Sequence, residues 1–450
     1  MRGLCERREL TRWPLVINID FVFHSVSAAD AARRLGVKPA TLYAYVSRGT
    51  LSRQRSADGR TSLFDADEIE KLARRGRPRR PAGALDITIE SQLTRITQDD
   101  LRYRGHDALG LARTRSFEDV AELLWTGALP VGDRPAWQAS AAALHVGRAV
   151  QGVLPDGLLP LERLQVIVPA MAVTDPLRLR LDRPAVIAAA KAMITGMVDC
   201  LPRAAGQAVD QATGQALDQA TALAADKAAG QAVGLARAGD VAGPVAERLW
   251  TRLCAGQPSR AMLRVLSAAL VLLADHELAA STLAARTAAS ARADPYAVVS
   301  AGLGAVSGAW HGGASLGVEA LLAAAADPAS APRVVGDLLH RGEKIPGFGH
   351  SVYRGADPRG RVLSDLVRHA VPNARAVVVA DAVIDEVRHR ALPEPNIDFA
   401  LGTFTSAAGM SRGAGEVIFA VARTAGWIAH ALEAYESGTV LRPRASYTGR

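Results

Sequence analysis

Apolar and polar positions alternate in two different ways along the chain. Between residues 27 and 72 the pattern is short and mixed. Ser27 is placed to cap a helix whose apolar positions are Ala28, Ala31, Ala32 and Leu35. Gly36-Val37 predicts a tight turn, and Pro39 suits the first turn of a second helix through Thr41, Leu42, Tyr45 and Val46 to about Arg48-Gly49. Leu51 to Arg55 and Arg60 to Phe64 flank Asp58-Gly59, a hairpin dipeptide, and Asp65 caps a short third helix through Ile69 and Leu72. From Asp86 helical spacing takes over, after two strand-like stretches, Ile87-Thr88-Ile89 and Leu93 to Ile96. The clearest helix runs from Ser116 to Thr126, capped by Ser116 and stopped by Gly127 and Pro130. Residues 206–237 repeat every eight positions, as in GQAVDQAT and GQALDQAT. Their apolar side chains are mostly alanine, so they bury little area, and a solvent-facing or frayed helical insertion is expected. Helices resume at Val241 and carry through Leu263 to Ala274.

Charge changes this picture at one end only. Residues 1–80 hold 17 Lys and Arg against 9 Asp and Glu, and the whole chain holds 53 against 45, so residues 81–450 balance at 36 and 36. The excess sits where the helix–turn–helix–hairpin pattern lies. That stretch resembles a winged helix-turn-helix module of the MerR-like and excisionase type. In that resemblance the second helix, with Lys38, Thr41, Tyr43 and Tyr45, faces a major groove, and Arg53, Arg55 and Arg60 of the wing hold phosphates. The bland reading is a small packing module. Arg74 to Pro81 forms a basic, proline-broken linker. The expected organisation is an extension over 1–24, a module over 25–75, a linker over 76–85 and a second domain over 86–450.

Composition adds limits rather than identity. The chain has 450 residues, enough for two or three domains, and 49% are hydrophobic, as in a globular protein. Three cysteines, Cys5, Cys200 and Cys254, are too scattered for a disulfide framework, so a cytoplasmic setting is expected. No signal peptide or membrane span is expected.

The candidate chemistry lies in the last third. His311-Gly312-Gly313-Ala314 and Gly347-Phe348-Gly349-His350 set two histidines beside glycines, where backbone can approach a ligand closely. Most of the ten histidines, His430 among them, read as structural. Asp398, in Asn396-Ile397-Asp398-Phe399, is either a helix cap or a carboxyl raised by apolar neighbours and suited to a general base. Asp275-His276-Glu277 lacks the second histidine of a zinc helix, and Gly302-Leu303-Gly304 lacks the strand and spacing of a nucleotide loop.

Together with Asp357-Pro358-Arg359, Arg423-Thr424-Ala425-Gly426-Trp427 and Arg442-Pro443-Arg444, these motifs occur in an order and spacing that resemble citrate synthase, over about residues 86–450. The resemblance implies a mainly α fold with large and small helical domains, preceded here by the small module, and a homodimer. It implies condensation of acetyl-CoA with oxaloacetate, with acetyl-CoA as a substrate and no separate cofactor or metal. Asp398 would take the methyl proton, His311 would bond the thioester oxygen, and His350 would bond the oxaloacetate carbonyl. His276, Arg359 and Arg423 would hold carboxylates, with Arg442 reaching across from the other subunit. Arg354 matches a position that meets CoA phosphate, and Phe419 one that lines the acyl pocket. Ser315-Leu316 replaces the family's common Asn-Glu, and Ser351 replaces a common arginine. These departures leave propionyl-CoA, and so 2-methylcitrate synthesis, as an alternative. A DNA-binding regulator using the fold as a metabolite sensor is another.

Overall fold

A computed structural model describes residues 25–35, 37, 39–47, 49–56, 61–66, 68–69, 72, 88–132, 135–204, 243–309, 311–443 and 447. The readings made for residues 1–24, Lys38, Asp58-Gly59, Arg60, the basic linker, the eight-residue repeats and Arg444 lie outside the described residues. The chain divides into two compact units, Met1–Ile89 and Glu90–Arg450.

In the first unit, β1 (Ser25–Ser27) leads into α1 (Ala28–Leu35) and α2 (Pro39–Ser47), followed by β2 (Arg53–Arg55) and β3 (Ser62–Asp65). Ser27 does cap α1: its Oγ accepts the Asp30 N–H at 3.2 Å. β3 lies between β1 and β2, antiparallel to both. Ala31, Ala32, Leu42, Leu51, Phe64 and Ile69 form a small core between helices and sheet. Thr41 and Tyr43 are exposed, Tyr45 is half-buried, and Arg53 and Arg55 are exposed on the edge strand.

The second unit opens with a meander, β4 (Thr94–Ile96), β5 (Leu101–Tyr103) and β6 (His106–Asp107). Thr88 and Ile89 are not part of a strand, so the alternation there is local and finds no partner. Helices follow: α3 (Ala108–Thr114), α4 (Phe117–Thr126), α5 (Ala141–Ala149), α6 (Pro160–Ala172), α7 (Arg183–Cys200), α8 (Val245–Leu253) and α9 (Arg260–Leu273). Then come α10 (Ala280–Ser290), α11 (Pro295–Val306), α12 (Ala314–Ala324), α13 (Ala331–His340), α14 (Pro358–Ala370), α15 (Arg375–His389), α16 (Ile397–Ala408) and α17 (Ala414–Ser437). α4 has the expected ends: Ser116 and Asp119 make a reciprocal capping box, and Gly127 closes the helix at φ 82°.

Two hydrophobic cores share this unit. The larger is threaded by α17, whose side chains are almost all buried. By length and composition alone α17 is long and apolar enough to cross a membrane, contrary to the expectation from the sequence of no membrane span. Its most apolar window is 94% buried within the protein, which is how a central helix of a packed domain behaves. The smaller core gathers α12, α13 and α15 around Val318, Val335, Val383 and Phe399. α16 lies on the seam: Phe399 enters the smaller core while Ile397, Leu401 and Phe404 enter the larger.

Candidate active site

The seam is where the chemistry collects. Asn396 caps α16, its side chain accepting the N–H groups of Asp398 and Phe399 at 2.9 and 3.3 Å. The cap is therefore Asn396, and Asp398 in the first turn is left free of that task. No hydrogen bond reaches the Asp398 carboxyl from the described residues. Its half-buried position raises it to about 6 through burial; Arg359 and Arg423 pull it down and Asp357 pushes it up.

Asn396 also fastens the His350 loop. Its Nδ2 donates to the Gly349 carbonyl at 2.8 Å and its backbone N–H to Gly347 at 2.9 Å. Gly347 takes φ 79°, and a Cβ there would stand 2.7 Å from that of Phe399. Only glycine lets the loop lie this close to α16. Within the loop, Val352 N–H donates to His350 Nδ1 at 2.9 Å. A backbone N–H can only donate, so Nδ1 is the acceptor, which favours the ring hydrogen on Nε2; Arg359 Nη2, 3.4 Å from Nε2, is also a donor and is no partner for that hydrogen. Burial and Arg359 lower the ring's pKa, which keeps it neutral.

His311 is fixed in the opposite sense. Ser281 N–H and Oγ approach its Nε2 at 3.3 and 2.8 Å, and Trp427 Nε1 donates to the same Oγ at 3.3 Å. Here Nε2 accepts and Nδ1 carries the hydrogen. Burial, then the charge of Arg423, depress the imidazole to about 4, so it is a neutral donor at physiological pH. Its ring meets Phe419 edge-on, 5.5 Å between centroids. Gly312 makes this turn possible, since a Cβ would lie 2.3 Å from the Val306 carbonyl.

Two buried guanidiniums complete the cluster. Arg359 is 2% exposed and paired with Asp357 through Nε at 3.1 Å and Nη2 at 2.8 Å. Burial opposes its charge, but the Asp357 carboxylate outweighs that and raises it. Arg423, 1% exposed, donates Nε to the Leu273 carbonyl at 2.8 Å and lies 4.7 Å over the Phe419 ring. Burial lowers its pKa to about 10, so it stays cationic. His276 stacks edgewise on His350 at 5.3 Å and bonds Tyr353 Oη through Nε2 at 3.0 Å. Burial, Arg359, Arg423 and His350 hold it well below the usual imidazole range.

His276, His311, His350, Arg359, Asp398, Phe419 and Arg423 are thus linked by ring contacts, hydrogen bonds or mutual electrostatic influence. Arg354 and Arg442 are not. The Arg354 side chain is exposed, its backbone N–H donating to Gln98 at 2.9 Å, and Arg442 is exposed beyond α17. Sequence reasoning missed Ser281, Tyr353 and His430. Tyr353 bonds His276, faces His350 and lies beside Arg359, and burial pushes its hydroxyl up to about 12. Its place three residues after His350 was the available signal.

A cluster of two neutral imidazole donors, one raised carboxyl and two buried guanidiniums suits enolisation and attack on an anionic carbonyl compound. The comparisons agree in kind. The profile described as "Citrate synthase, C-terminal domain" matches residues 86–444. The chain belongs to the citrate synthase family. It is an enzyme of that acyl-transferring class. A citrate synthase of Haloferax volcanii is 32% identical over 389 residues, covering 81% of this chain and 94% of that protein. A 2-methylcitrate synthase of Mycobacterium tuberculosis is 29% identical over 374 residues, covering 81% and 88%. The crystal structure of citrate synthase from Thermotoga maritima superposes with TM-score 0.64 at 25% identity, covering 82% of this chain and 96% of that one. Against the citrate synthase pattern, Ser315 is buried and its hydroxyl has no hydrogen-bond partner among the described residues, whereas Ser351 is exposed.

Proposed function

We propose that this enzyme condenses acetyl-CoA with oxaloacetate to give citrate and CoA. The observation that carries the reading is the pair of opposite tautomers. Backbone N–H groups occupy Nε2 of His311 and Nδ1 of His350, which leaves the other nitrogen of each ring to carry the hydrogen once Arg359, 3.4 Å from His350 Nε2, turns to a substrate carboxylate. Asp398, as carboxylate, removes a proton from the acetyl methyl group. The oxygen of the resulting enolate is held by His311 Nδ1–H. The enolate carbon attacks the oxaloacetate carbonyl, and His350 Nε2–H supplies the proton to the new alkoxide. His276, Arg359 and Arg423 hold the carboxylates, with the partner subunit's Arg442 closing a dimeric site and Arg354 meeting CoA phosphate. Hydrolysis of the thioester then releases CoA.

The test is CoA release measured with acetyl-CoA and propionyl-CoA, each with oxaloacetate. A higher kcat/KM with acetyl-CoA is expected. A reversed ratio would assign 2-methylcitrate synthesis, and no turnover with either, in protein that binds oxaloacetate, would favour the metabolite sensor.

We further propose that residues 25–80 bind DNA as a winged helix-turn-helix. The concentrated charge of residues 1–80 and the exposure of Thr41, Tyr43, Arg53 and Arg55 support this. Salt-sensitive retention of duplex DNA is expected, lost when residues 1–80 are removed. Retention by the truncated chain would count against it.

A further inference from the structure

His430 reads from sequence as a structural histidine, yet it is built into the charge balance of the site. It lies on α17 two turns after Arg423, and Arg423, Gly426, Trp427 and His430 recur at i, i+3, i+4 and i+7 on one face. The ring is 1% exposed and spans two charges. Arg286 Nη1 donates to its Nδ1 at 2.9 Å. A guanidinium has no acceptor, so Nδ1 supplies the lone pair and the ring hydrogen sits on Nε2. Nε2 lies 3.4 Å from Oδ1 of Asp275, within ion-pair distance but not a hydrogen bond, and neither atom has a hydrogen-bond partner among the described residues. Arg286 is itself held by Glu433 at 2.7 Å and by the Glu90 carbonyl at 3.3 Å.

Asp275 is fully buried. Its Oδ2 accepts from the Thr94 hydroxyl at 2.5 Å and from the Glu277 N–H at 3.2 Å. Gly426 covers Oδ1, where a Cβ would come within 2.4 Å. The carboxylate is close enough to support the charge of Arg423, yet no hydrogen bond joins them. Among the described residues, the guanidinium of Arg423 hydrogen-bonds through Nε alone, to Leu273. A buried carboxylate that turned to Arg423 would fill its terminal N–H groups, since bidentate pairing is the strongest arrangement open to both.

We propose that His430 is a positioning residue that holds the Asp275 carboxylate off Arg423, leaving the terminal nitrogens of Arg423 open to a substrate carboxylate. The inference rests on the reading that Arg423 binds oxaloacetate. Losing the ring removes the polar N–H nearest Oδ1 of Asp275, beside a guanidinium whose charge that carboxylate already supports.

The test is a double-mutant cycle on the full chain, with His430→Phe, Asp275→Asn and both together, following CoA release and thermal unfolding. His430→Phe is expected to raise KM for oxaloacetate about tenfold, while kcat and the KM for acetyl-CoA change less than about threefold. In the Asp275→Asn background the same change is expected to leave KM for oxaloacetate nearly unmoved, because the competing anion is gone. His430→Asn enters the same cycle if the phenylalanine variant does not fold. An unmoved KM, or a rise of equal size in both backgrounds, overturns the inference: the histidine then serves packing alone. Wild-type protein without turnover overturns the enzyme reading itself, whereas wild-type turnover with an unmoved KM overturns only the role of His430.

Discussion

Asp398 occupies the first turn of a helix that Asn396 has already capped, so its carboxyl is spared a structural task. Burial raises it to about 6, and a base must be ionised to act. We therefore expect kcat/KM to fall tenfold per pH unit below about 6, and Asp398→Asn to lower kcat by roughly 10²–10⁴-fold. The same shift has a stability consequence of opposite sense. A carboxyl that ionises at about 6 when folded but near 3.8 when unfolded binds more protons in the native state across that window. Its effect on stability is favourable at low pH and is lost as pH rises through 3.8 to about 6. Asp398→Asn should then stabilise the protein at pH 7 by on the order of 1–3 kcal/mol, and the gain should vanish below pH 4. Denaturant melts at the two pH values check this, and a variant less stable at pH 7 would contradict the assignment.

At the scale of elements, the site depends on helices that approach closely where glycine permits. Gly302 of α11 lies against the Trp427 indole, where a Cβ would come within 2.6 Å. Trp427 in turn holds Ser281, which sets the tautomer of His311. Gly302→Ala is expected to cost about 1–3 kcal/mol by overpacking and to lower kcat as the indole shifts. Thermal melts with kinetics separate the two, and a destabilised variant of unchanged kcat would remove the indole from the chain of support. Much of this level was legible beforehand. Ser27, Ser116 and Gly127 mark helix ends because caps and left-handed stops depend on a few adjacent residues. The alternation at Thr88-Ile89 misled, because alternation predicts a strand only where another strand lies alongside; Ile87 lies outside the described residues. Ser281 was illegible for a related reason, its role arising from a contact 30 residues away in sequence; Tyr353 bonds a partner 77 residues away, and only its nearness to His350 pointed to it. His430 left one trace, its seven-residue spacing from Arg423.

For the whole molecule, the consequential feature is the seam between the two cores of the second unit. α16 packs into both, and Asp398 stands at its first turn. Any hinge movement of α12, α13 and α15 against the larger core would carry the base relative to Arg423 on α17, which fits closure that shields an enol from water. The first unit has its own small core, so removing residues 1–80 is expected to leave the kinetic constants for acyl-CoA and oxaloacetate within about twofold, a size too small to register as lost transition-state binding.

α17 also has a bearing on how this protein can vary over generations. One helix presents Phe419 beside His311, Arg423 for substrate, Gly426 against Asp275, Trp427 for Ser281 and His430 for Arg286. Each residue of an α-helix advances about 100° around the axis. A single deletion between 423 and 430 would therefore turn the later partners away together. Substitutions can be tried here one at a time, but gaps cannot: the helix is a ruler as well as a core.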